Sequence, residues 1–168
     1  MSAPHPTRLL ALDDLPATTR LAAGVAALAR PGDAILLEGP LGAGKTAFAR
    51  AFLRHASGDP ALEVPSPTFT LVQTYDTHLG PVHHFDLWRL DGPAALGELG
   101  WDEARDDIVL VEWPDRLGAL RPEDALTVAL EPKAGEPQTG EPKMGERETG
   151  DARTAVLSGW ADRIGRLP

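Results

Sequence analysis

The stretch AILLEGPLGAGKTAFARAFLRHA, residues 34–56, changes pattern twice within a short span. Ala34 to Glu38 is short, apolar and bounded by glycines, which predicts a buried strand. From Thr46 to Ala56, Phe48 and Phe52 stand one turn apart, which predicts a helix. Between them lies Gly39-Pro40-Leu41-Gly42-Ala43-Gly44-Lys45-Thr46, the pattern G-x4-G-K-T in the strand–loop–helix setting of a phosphate cradle. Its glycines let the backbone bring consecutive N–H groups onto phosphate oxygens where a Cβ would obstruct them. The helix start adds a positive dipole end and unpaired N–H groups. In this pattern Lys45 neutralises the β/γ-phosphates and the Thr46 hydroxyl ligates Mg2+. A dinucleotide-binding turn does not fit, because Ala47 stands where G-x-G-x-x-G, started at Gly42, needs its third glycine.

Outward from the cradle, Leu21, Val25 and Leu28 mark an amphipathic helix over Leu15 to Arg30, preceded by a proline-containing leader and ended by Pro31-Gly32. A loop with Pro65 and Pro67 leads to two strand candidates, Phe69 to Tyr75 and Val82 to Leu90, split by the turn-like DTHLG and suited to a hairpin. Pro93 to Ala104 reads as short helix and turn, and Ile108 to Trp113 as another buried strand that stops at Pro114. Residues 131–150 divide into EPKAG, EPQTG, EPKMG and ERETG, a low-complexity pentad repeat that cannot build a core. Flanked by ALTVAL and RTAVL, it reads as an overgrown loop joining two antiparallel strands. The expected fold is α/β: a single three-layer P-loop NTPase-like domain over 1–168, with a mixed, largely parallel sheet and a C-terminal antiparallel hairpin.

A phosphate cradle alone fixes neither reaction nor acceptor. Hydrolysis also needs a carboxylate for Mg2+ and a group that positions water. Asp86, in HHFDLWRL, and Glu112, closing IVLVEW, are the candidates, since carboxyl ends of parallel strands border the ligand crevice of open α/β sheets. Trp113 either walls this site or packs. Ser66 and Thr68, in the proline-stiffened VPSPTF, either sense a γ-phosphate or form a rigid entry to the next strand. His83 and His84, adjacent on a strand, point to opposite faces and do not share one metal; they read as core or surface residues.

Taken in order, GPLGAGKT, VPSPTFTLV, HHFDLWRL and VEWPDRL resemble the TsaE (YjeE) family over about residues 15 to 117. The resemblance implies a P-loop ATPase using ATP and Mg2+, with slow hydrolysis serving threonylcarbamoyl-adenosine modification of tRNA together with the TsaD and TsaB proteins. It makes Lys45 and Thr46 the phosphate and Mg2+ ligands, places Ser66 and Thr68 in a switch-like loop, and assigns functional roles to Asp86, Glu112 and Trp113. A threonine at the start of the family's first helix approaches the nucleotide, a place that both Thr18 and Thr19 match. Trp88 stands where the family has tyrosine, and no function is carried to the pentad repeat.

Composition agrees with this reading. The chain of 168 residues has a formal charge of −9, which argues against gripping tRNA alone and leaves that contact to partners. Cysteine is absent, excluding thiolate catalysis and disulfides, and no apolar run is long enough to span a membrane; a cytoplasmic protein is expected. Two other functions fit the cradle. A small-molecule kinase needs an arginine lid, and none shows in the sequence. A nucleotide-dependent partner-binding module needs no hydrolysis. Oligomeric state is open.

Overall fold

The computed structural model describes residues 5–133 and 152–168. Most of the pentad repeat lies outside the described residues. Seven strands form one mixed sheet in the order β1-β7-β6-β2-β5-β4-β3. They are β1 (Thr7–Leu12), β2 (Ala34–Glu38), β3 (Val72–Thr77), β4 (Gly80–Asp86), β5 (Ile108–Glu112), β6 (Leu126–Pro132) and β7 (Arg153–Ser158). The four central strands, β6, β2, β5 and β4, run parallel; the outer pairings β3–β4, β6–β7 and β1–β7 are antiparallel. The expected α/β class and C-terminal hairpin are present.

Two helices cover one face. Helix α1 (Leu15–Leu28) starts where the Asp14 side chain accepts the Ala17 N–H at 2.8 Å, and it buries Leu21, Ala22, Val25 and Ala26. Helix α2 (Lys45–Ser57) buries Phe48, Ala49, Phe52 and Leu53 against α1 and the sheet. Along the central strands the alternation assigns side chains to layers: Ile35, Leu37, Ile108 and Leu110 meet the two helices. Ala34, Leu36, Val109 and Val111 meet a second cluster built on Phe85, Leu96, Leu117 and Trp101, the last opening the short helix α3 (Trp101–Ala104). Phe85 and Trp101 touch edge to face, 5.3 Å between ring centres.

Several boundaries differ from the sequence expectation; the DTHLG spacer narrows to His78 and Leu79, because β3 runs on to Thr77 and β4 starts at Gly80. The N-terminal leader contains strand β1, an edge strand in register with β7 from Thr7↔Ser158 to Leu12↔Arg153. Strand β3 begins at Val72, after Phe69, because Leu71 turns the chain with φ +65° and its N–H bonds the Pro67 carbonyl. Strand β4 ends at Asp86, before Leu90, because the Asp86 carboxylate accepts the Trp88 N–H at 3.1 Å and closes a side-chain turn. Register brings the two candidate carboxylates together: in the parallel pair β4–β5, Asp86 is the direct partner of Glu112, and β2 sets Leu37 opposite Glu112. No helix among the described residues is long and apolar enough to cross a membrane.

Candidate functional site

The loop 39–44 leaves the carboxyl end of β2 and rests on the β6–β7 pair. Gly39 (φ +141°) lies so close to β6 that a Cβ would overlap the Leu130 carbonyl oxygen. Gly44 (φ +100°) lies against the Arg153 guanidinium in the same way. Gly39 is therefore glycine for two reasons, backbone angle and space, and Gly44 chiefly for its backbone angle, since a guanidinium is the movable end of a side chain. Within the loop the Ala43 N–H bonds the Pro40 carbonyl at 3.0 Å, and the Phe48 N–H bonds the Gly44 carbonyl at 2.9 Å as α2 begins. The first turn of a helix leaves its N–H groups without intrahelical partners, so this end favours an anion.

Lys45 is almost wholly buried. Its Nζ donates to the carbonyls of Gly39 at 2.6 Å and Pro40 at 2.8 Å, and stands 3.9 Å from the centre of the Trp113 ring. Burial pushes the ammonium below its usual pKa, and the carboxylates of Glu112 and Asp86 oppose that shift. Trp113, at φ +59°, is itself flanked by half-exposed Trp88 at 4.3 Å between ring centres.

Two hydrogen-bonded chains meet beneath the loop. In one, the Thr46 hydroxyl donates to the Glu112 carboxylate at 3.0 and 3.1 Å, and His84 Nε2 reaches the same carboxylate at 2.8 Å. In the other, Thr68 and Ser66 hydroxyls lie 2.9 Å apart, and Ser66 donates to Asp86 at 3.2 Å. Asp86, Glu112 and His84 are all buried. A buried carboxylate needs such donors, since an unpaired charge away from water is costly. His84 Nδ1 is buried without a partner among the described residues. The proton in the contact with Glu112 is therefore placed on Nε2, which donates to the carboxylate.

These groups line a cavity of about 510 Å3 that includes Gly42, Gly44, Lys45, Thr46, Ser66, Thr68, Asp86, Glu112, Trp113 and Arg153. Its volume suits a small polar ligand. Leu41, at the loop tip, is 81 % exposed at the rim. Neither Thr18 nor Thr19 lines the cavity. Thr18 is buried in α1, its hydroxyl without a partner among the described residues; Thr19 borders a neighbouring groove of about 620 Å3. The groove and the cavity share Leu15 and Ala47 in their walls, so they are neighbours. No group of three or more acidic, histidine or cysteine side chains fit to hold a metal occurs among the described residues. Thr46 and Glu112 nonetheless form an all-oxygen pair of the kind Mg2+ accepts when phosphate and water complete its shell.

The sequence separates His83 from His84 correctly. His83 meets Thr74 at 2.9 Å and Asp107 at 3.0 Å, while His84 faces Glu112. What the sequence reading omits is His84 as a site residue; its spacing of two from Asp86 on one strand, hence a shared face, was the available signal. It also omits Arg153, which reaches the cradle from β7, and whose only signal is an arginine opening an otherwise neutral strand.

Comparison with known proteins identifies the family and the fold. The sequence model of the family described as "Threonylcarbamoyl adenosine biosynthesis protein TsaE" matches residues 12–139. A protein of Rickettsia felis named tRNA threonylcarbamoyladenosine biosynthesis protein TsaE is 39% identical over 124 residues, 73% of this chain and 72% of that protein. The protein of the same name from Bacillus subtilis is 35% identical over 116 residues, covering 68% and 71%. Among solved structures, that of Bacillus subtilis YdiB superposes with a TM-score of 0.71 at 27% identity, over 99% of this chain and 94% of the other.

Proposed function

Because the chain belongs to the TsaE family of tRNA threonylcarbamoyladenosine biosynthesis proteins, we propose that its cradle binds ATP with Mg2+ and hydrolyses it slowly in support of that modification. The observation that carries the reading is the pairing of Asp86 with Glu112 at the ends of adjacent parallel strands, with Thr46 from the first turn of α2 bonded to Glu112, beside a loop of the phosphate-cradle pattern.

Each residue then has a task. The backbone from Gly39 through Gly44, with Pro40, Leu41, Gly42 and Ala43 between, wraps the phosphates, and the start of α2 directs its N–H groups toward them. Lys45 exchanges the Gly39 and Pro40 carbonyls for phosphate oxygens. Thr46 and Glu112 would hold Mg2+, which when bound neutralises charge on the phosphates. Asp86 accepts a hydrogen bond from a water aligned with the terminal phosphate, while Ser66 and Thr68 fix the carboxylate's orientation. Trp113 and Trp88 exclude bulk water on one side. The groove beside Thr19 receives the nucleoside, being mainly apolar and adjacent to the phosphate cavity.

Water is the acceptor in this reading, and the energy resets a TsaD–TsaB partner complex. The acidic charge leaves tRNA contact to those partners. A second reading, a module whose nucleotide organises a partner surface without turnover, draws on the exposed Leu41 and Phe69 at 81 % and 83 %. Reconstitution of tRNA modification with TsaD, TsaB and this protein separates them. Lys45→Ala is expected to abolish support, and Glu112→Ala to allow nucleotide binding but stop multiple turnovers. Sustained turnover by a Glu112→Ala protein that releases no phosphate would overturn hydrolysis in favour of the module. Stoichiometric phosphorylation of a small hydroxyl compound would instead make it a kinase.

A further inference from the structure

We propose that Arg153 is a positioning residue of the phosphate cradle, holding the Ala43–Gly44 peptide so that the Gly44 N–H faces bound phosphate. The proposal rests on the nucleotide reading above and adds a residue far away in sequence, on the last strand. Arg153 opens β7, where register pairs it with Leu12 of β1 on one side and Pro132 of β6 on the other. Its position is thus set by both neighbours, and the side chain is only 6% exposed. From there Nη1 donates to the Ala43 carbonyl at 2.8 Å.

A trans peptide is planar, with its C=O and the following N–H pointing in opposite directions. Tying the Ala43 oxygen to Arg153 therefore fixes the direction of the Gly44 N–H, away from the guanidinium. Ala43 is itself buried, so its carbonyl, without Arg153, would lack this donor away from water. Gly44, with its left-handed φ of +100° and no Cβ, leaves room for the same guanidinium to approach this peptide. Gly39 rests on Leu130 of β6, so the cradle is supported at both of its ends by the β6–β7 pair. The cradle's geometry is thus written partly into a strand pair far along the chain, and Arg153 is the contact that transmits it.

The test uses the full chain labelled with 15N-glycine, titrated with Mg-ADP, with melting followed in parallel. In Arg153→Met the Gly44 amide resonance of the nucleotide-free protein is expected to move, and Mg-ADP affinity to fall about tenfold or more. Arg153→Lys, which keeps a cationic donor at a different angle, is expected to restore affinity to within about threefold of wild type and to leave the resonance displaced by less than in Arg153→Met. A folded Arg153→Met protein with wild-type affinity overturns the proposal. So does an affinity loss with an unmoved Gly44 resonance, which would mean that Arg153 acts on phosphate rather than on the peptide. Should Arg153→Met not fold, Arg153→Lys decides: an unmoved Gly44 resonance overturns the proposal and a displaced one supports it. If wild type itself binds no Mg-ADP, it is the nucleotide reading that fails, and the displaced resonance in nucleotide-free Arg153→Met still reports on the peptide.

Discussion

Glu112 receives the Thr46 hydroxyl and the His84 ring on one carboxylate, the first at the wall of the cavity and the second at a depth where water does not replace it. Replacing His84 by phenylalanine keeps the volume and removes the donor. That variant is expected to lose about 1–3 kcal/mol of stability, seen as a lower urea midpoint. Lys45 gives a test by pH. On the proposed nucleotide reading its ammonium is the form that holds phosphate, and burial lowers its pKa from the ordinary 10.5. Protons therefore leave Lys45 earlier than they leave a free lysine, and phosphate is held less well once they do. Mg-ADP affinity is expected to be level near neutrality and to fall as pH rises, beginning below 10.5; a constant affinity through that range would contradict it. The sequence exposes Lys45 and Thr46 directly because the motif is contiguous. His84 and Arg153 reach the site through strand register, which no local pattern encodes.

Among the elements, α2 joins the core to the cradle. Its Phe48 and Phe52 are fully buried while its first residues face the cavity. Phe52→Ala is expected to cost about 3–5 kcal/mol, a melting drop on the order of 10 °C. Nucleotide affinity measured well below the melting point should change less than about threefold, because β6 and β7 hold the cradle independently of that helix face. Helix α2 and strands β2 and β5 were legible because their periodicity is local and their apolar runs are bounded by glycine or proline. Strand β1 was not, since half of its side chains face solvent and its partner lies near the other end of the chain. The ends of β3 and β4 were misplaced by sequence alone because a left-handed Leu71 and a side-chain turn at Asp86, rather than glycine or proline, interrupt apolar runs.

For the whole molecule, charge and topology divide the labour. A net −9 and a cavity whose charged groups are mainly Lys45, Arg153 and two carboxylates suit a nucleotide and its metal, and offer nothing to a polyanion. Isolated protein mixed with tRNA at moderate salt is expected to show no salt-sensitive complex by filter binding or light scattering. Tight binding that weakens steeply with salt would require a basic surface and would undo the division of roles. The α/β class was readable from the strand–loop–helix order; the strand order in the sheet was not, because it depends on pairings between distant segments.

The ammonium of Lys45 over the indole of Trp113 gives the protein an optical gauge. A cation 3.9 Å from the ring perturbs its excited state, and on the proposed reading phosphate binding draws that cation away. The other three tryptophans have different neighbours: Trp101 packs on Phe85, Trp160 lies under Arg163, and Trp88 only borders the same ring. Adding Mg-ADP should therefore change intrinsic fluorescence without any label, and Trp113→Phe should remove most of the change while leaving the folded protein intact. Loading of the site then becomes observable in real time, at the rate at which one lysine trades its own backbone for a guest.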